Sequence, residues 1–100
     1  MGRILRFTLL LFCVSTVVWA QDRRVTGTIT ASDDRSALPG VNVLLKGTNT
    51  GTITDVNGIY SLTIPAEGGI LVFSYVGYIT QEVPVAESNT INVQLVSDAT

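Results

Sequence analysis

The densest gathering of polar chemistry in the chain is Asp55-Val56-Asn57-Gly58, inside the run from Gly51 to Tyr60. An acid, an amide and a glycine at this spacing echo the start of a calcium loop. Calcium takes six to eight oxygens, and a helix-loop-helix calcium loop ends in a bidentate glutamate. The next glutamate is Glu67, with a strand candidate in between. The same residues make a tight turn. Asp and Asn side chains accept from nearby amides, and Gly58 supplies a positive φ. The turn reading is preferred, so Asp55, Asn57 and Gly58 are assigned a structural role. Asp33-Asp34 could pair as acids, but adjacent extended residues point apart and no base stands near them. Tyr60, Tyr75 and Tyr78 could form an aromatic platform for sugars. Tyr60 and Tyr75 share strand faces with Leu and Ile, which favours packing.

The remaining chemistry depends on what survives export. Residues 1–20 open with Arg3 and Arg6, continue as an apolar run, and end at Val18-Trp19-Ala20 before Gln21. This is the layout of a secretory signal peptide, a helix cut between Ala20 and Gln21. The apolar run is shorter than the roughly 20 residues that span a membrane. Cys13 follows Phe12 rather than the small residue a lipid-acceptor site wants, and it leaves with the leader. The mature chain has no Cys and no His. Disulfides, histidine or thiolate metal sites, and triads built on His or Cys are thereby excluded. Four cations (Arg23, Arg24, Arg35, Lys46) face eight anions, a net charge of −4. A nucleic-acid reader would carry a basic patch instead.

The elements that must position these residues are strands. The sequence predicts them at 24–32, 41–46, 52–54, 59–64, 70–75, 78–83 and 90–95. The first alternates Val25, Gly27, Ile29 and Ala31 with threonines, the pattern of a half-buried strand. Tyr60, Leu62 and Ile64 share one face of the fourth. Residues 70–75 are apolar on both faces, which marks a central or covered strand. Ile91, Val93 and Leu95 share a face of the last. Leu38-Pro39-Gly40 and Glu67-Gly68-Gly69 read as turns. Pro65 and Pro84 read as strand breaks, and residues 51–60 as a hairpin. Turn signals recur every 8–12 residues and no helical period appears, so the fold class is an all-β sandwich of seven strands. Its core is expected around Tyr60, Leu62, Leu71, Phe73 and Val93. Edge-strand pairing with a partner strand is open to such a fold, and the sequence leaves its edges equivalent.

An ordered series of motifs then resembles the carboxypeptidase-regulatory-like domain. It comprises Leu38-Pro39-Gly40-Val41-Asn42-Val43, Lys46-Gly47-Thr48, Gly51-Thr52, Thr54-Asp55 and Gly58-x-Tyr60. It continues with Val72-Phe73-Ser74-Tyr75-Val76-Gly77-Tyr78 and Thr80-Gln81-Glu82-Val83. The match covers roughly residues 24–96, with 97–100 read as the start of a linker. The resemblance implies a transthyretin-like, immunoglobulin-like Greek-key sandwich without catalysis, cofactor or metal. It is nearest to the N-terminal extensions of SusC/RagA-type TonB-linked outer-membrane transporters, which import glycans, peptides or other large nutrients. Implied partners are the plug and barrel domains, the TonB system and a surface substrate-binding lipoprotein. Membrane association would then run only through a barrel absent from this chain. Residues 97–100 do not resemble a TonB box. The alternatives are a free-standing exported adhesin or scaffold module, and an appendage of a secreted peptidase.

Overall fold

The computed structural model describes residues 22–98. The expected leader helix and Ala20–Gln21 cleavage site lie outside the described residues. Seven strands follow in order: β1 (Arg23–Ala31), β2 (Asn42–Leu45), β3 (Gly51–Ile53), β4 (Ile59–Ile64), β5 (Gly69–Ser74), β6 (Gln81–Val85) and β7 (Val93–Leu95). They form two sheets, one of order β4-β1-β7 and one of order β3-β2-β5-β6. All neighbouring pairs are antiparallel except β1–β7, which is parallel. The molecule is the seven-stranded β-sandwich that the spacing of turns implies.

Period-two alternation builds the core between the sheets. β1 contributes Val25, Ile29 and Ala31, and β4 contributes Tyr60, Leu62 and Ile64. β2 and β5 answer with Val43, Leu45, Leu71 and Phe73, and β7 adds Val93 and Leu95. The rings of Tyr60 and Phe73 meet edge to face across the two sheets, 5.6 Å apart at 70°, a favoured aromatic geometry. The Tyr60 hydroxyl donates to the carbonyl of Ile91 at 2.8 Å. That contact requires Gly27, because a Cβ there would lie 1.8 Å from the Ile91 oxygen and 2.9 Å from the tyrosine ring.

Four local expectations need correction. Residues 51–60 are not a two-stranded hairpin within one sheet. β3 pairs with β2 and β4 with β1, so the Asp55–Gly58 turn carries the chain from one sheet to the other. The reason is that Gly58 is captured by β1, its carbonyl accepting from the Ile29 amide at 2.8 Å.

Pro84 does not break a strand but sits within β6, opposite Ile70. The Lys46 amide donates to the Ile70 carbonyl, so Ile70, Val72 and Ser74 bond to β2 and the alternate residues of β5 bond to β6. Pro84 therefore turns its nitrogen outward on an edge strand, where no donor is needed.

β6 begins at Gln81 rather than Tyr78. Tyr78 instead bridges Ser97, with Ile79 donating to Val96 and Asp98 to Gly77, both at 2.8 Å. The last strand is interrupted as well. Thr90 bridges Thr26, the Asn92 side chain accepts from the Thr28 amide at 2.9 Å, and the regular ladder resumes at Val93.

Candidate functional site

At the turn, Asp55 Oδ1 accepts from the amides of Asn57 at 2.9 Å and Ile59 at 3.0 Å. The Asp55 carbonyl accepts from Gly58. One carboxylate oxygen is thus committed to backbone donors, as an Asx turn requires. Gly58 has φ 75°, and a Cβ on it would lie 2.6 Å from the Ile29 carbonyl oxygen and 3.1 Å from the Leu38 nitrogen. Among the described residues no three His, Cys, Asp or Glu side chains gather as metal ligands do.

The other chemical candidates are likewise engaged. Asp34 accepts from the amide and the hydroxyl of Ser36 at 3.0 and 2.8 Å. These bonds, the amide's foremost, hold its carboxyl below the usual carboxylate range. Burial pushes the Tyr60 hydroxyl up to about 12, as expected for a phenol held away from water. Tyr75 and Tyr78 lie ring to ring at 5.8 Å, tilted by 36°, and pack against the core edge. Leu62, Leu71, Phe73 and Val93 are all buried.

One buried polar residue carried no signal in the alternation. Thr54 is 4% exposed. Its hydroxyl donates to the Leu38 carbonyl at 2.6 Å and accepts from the Val41 amide at 2.9 Å. It thereby closes the Pro39–Gly40 turn from inside. Placing Thr54 inside puts Ile53 outside, since neighbours on a strand face opposite ways.

What the molecule offers to a partner is surface. The outer face of the four-stranded sheet carries Leu44, Ile53, Ile70 and the half-buried Val72, with Ile53 59% exposed. A shallow depression there is lined by Asn42, Leu44, Gly51, Ile53, Val72 and Ser74 among others, none of them charged. Val76, Ile79 and Val96 are exposed as well, Ile79 lying beside Val96 through the bond of its amide to the Val96 carbonyl. Among the described residues no helix is long and apolar enough to cross a membrane.

Residues 25–100 match a family model described as the CarboxypepD_reg-like domain. TonB-dependent receptor P3 of Formosa agariphila is 42% identical over 88 residues, 88% of this chain and 9% of that protein. TonB-dependent receptor P26 of the same organism is 39% identical over 90 residues, 90% of this chain and 8% of that protein. TonB-dependent receptor SusC of Bacteroides thetaiotaomicron is 40% identical over 85 residues, 85% and 8% respectively. This chain thus spans less than a tenth of the length of these relatives. Among solved structures, a type II cohesin–X-dockerin complex from Acetivibrio cellulolyticus superposes with a TM-score of 0.58. It covers 72% of this chain and 52% of the other at 20% identity, a likeness of fold alone.

Proposed function

This chain belongs to the CarboxypepD_reg-like domain family, and from that premise we propose that it is the non-catalytic, periplasmic N-terminal domain of a SusC/RagA-type TonB-dependent outer-membrane transporter of glycans or peptides. Residues 1–20 are its export leader, cut between Ala20 and Gln21, and residues 24–96 its domain. The observation that carries this reading is 42% identity over 88 residues to a TonB-dependent receptor about ten times longer. Matches over 88 and 90 residues of a 100-residue chain run back into the leader region. An overlap with residues 1–20 supports placing the domain near the start of such a chain.

The role fits the chemistry. Asp55, Asp34 and Tyr60 are each occupied by structural hydrogen bonds, which supports docking or gating rather than catalysis. Val76, Ile79 and Val96 are exposed apolar side chains near the point where the chain leaves the sandwich, suited to meeting the plug that follows. The TonB system and a surface substrate-binding lipoprotein are partners of the assembled transporter.

Reading the gene beyond codon 100 tests the proposal. A hydrophobic TonB box, a plug and many alternating barrel strands are expected; a verified stop codon there overturns the reading. Placement is tested by protease treatment of cells. The domain should be cleaved only after the outer membrane is permeabilised, and cleavage in intact cells would put it outside.

A further inference from the structure

We propose that the free edge of β3 pairs antiparallel with β3 of a second copy of this chain, joining two sandwiches through one continuous sheet. The inference rests on the domain's own geometry and does not depend on the transporter reading. The Leu45 amide donates to Thr50 O at 2.9 Å and the Thr54 amide to Val41 O at 3.1 Å. With the β2–β3 register, this alternation assigns the main-chain bonds of Thr52 to Val43 on β2. The amides and carbonyls of Gly51 and Ile53 therefore point away from β2, along an open edge.

The other edges differ. β6 carries Pro84 and Glu82, devices that blunt an edge. At β7, the Gln94 carbonyl is taken by the Gln81 side chain at 2.6 Å. β4 leaves Ser61 and Thr63 open, but its outer face is polar there and lies beside Arg24, which pairs with Thr63. Among the described residues, β3 combines an open edge with the exposed Leu44 and Ile53 and a depression that carries no charge, whereas on β4 the exposed Ile59 has its amide and carbonyl bonded to Asp55. The mature chain bears eight anions against four cations, and an uncharged contact face adds no local like-charge pairs to the repulsion between two copies.

The edge is also complementary to itself. A two-fold axis at Thr52 sets Gly51 of each copy opposite Ile53 of the other, with four main-chain hydrogen bonds. Gly51 has no side chain, and a Cβ there would lie 3.2 Å from Leu44 Cδ1. Leu44 leans over Gly51, and the opposing Ile53 side chain would meet it there. Three residues make a small contact, well under the roughly 1,200 Å² of a standard interface, so the pair is transient.

Sedimentation of the exported chain from micromolar to millimolar concentration tests this. The mass should rise toward a dimer, and Ile53→Lys should remain monomeric with an unchanged thermal melt. The mature chain has no cysteine, so Thr52→Cys should form a disulfide-linked dimer on mild oxidation. Facing residues in a non-hydrogen-bonded antiparallel pair lie about 4.5 Å apart at Cα, within disulfide reach. Thr63→Cys on β4 should not cross-link. A monomer at every concentration overturns the proposal. So does cross-linking through Thr63→Cys but not Thr52→Cys, which would move the contact to β4. Amide shifts at residues 51–53 on adding an unrelated extended peptide to a strictly monomeric chain would also overturn it, assigning the edge to a partner's strand.

Discussion

Tyr60 concentrates several of the forces that hold this domain together. Its ring packs on Phe73 across the sheets and its hydroxyl satisfies the buried carbonyl of Ile91. Tyr60→Phe keeps the ring and orphans that acceptor, which should cost about 1–3 kcal/mol in a urea melt. The same site predicts a pH dependence. In the folded chain Tyr60 keeps its proton up to about 12, whereas in the unfolded chain it is lost near pH 10. Between those values the unfolded state binds fewer protons. The contribution of Tyr60 to stability is therefore constant below about pH 10 and falls as pH rises toward 12. Urea midpoints of the wild type and Tyr60→Phe across this window should converge. Phe73 is 0% exposed, and Phe73→Ala should cost roughly 3–5 kcal/mol; an unchanged midpoint would show the ring is dispensable. Thr54 shows where residue-level reading fails. A threonine among threonines looks like surface, and only the turn folded over it reveals a buried hydroxyl with two backbone partners.

Among the elements, the Asp55–Gly58 turn governs how the two sheets are joined. Its composition was legible as a tight turn, because Asp, Asn and Gly each have a local reason to be there. Which strands it joins was not legible, since that depends on Gly58 bonding to Ile29, 29 residues earlier. Gly58→Val would place a branched side chain at positive φ with its Cβ 2.6 Å from a carbonyl oxygen. Loss of the cooperative thermal transition is expected, and a variant that melts like wild type would show that neither constraint binds. Pro84 teaches the same lesson from the other side. A proline ends a strand only if its nitrogen faces a neighbour, and here it faces solvent because the alternation along β5 directs it outward.

For the whole molecule, a single core runs through both sheets, so unfolding should be two-state. A domain of about 75 residues is expected to be stable by roughly 4–11 kcal/mol. Circular dichroism at backbone and tyrosine wavelengths should give coincident urea transitions; separated transitions would mean that the sheets unfold independently. The acidic surface is interrupted by the uncharged β3 face and by the exposed apolar side chains of Val76, Ile79 and Val96.

Composition and spacing by themselves determined the all-β class, the seven strands, and the exclusion of thiol and histidine chemistry from residues 21–100. The ordered motif series carried the family resemblance. These are local properties: alternation, turn residues and residue inventory act over a few positions. The tertiary structure alone decided which strands share a sheet, that Ile53 faces water while Thr54 is buried, and that one edge is both open and apolar. Each depends on pairing between residues far apart in sequence, such as Gly58 with Ile29 and Leu44 with Val72, and local pattern carries no record of such pairing.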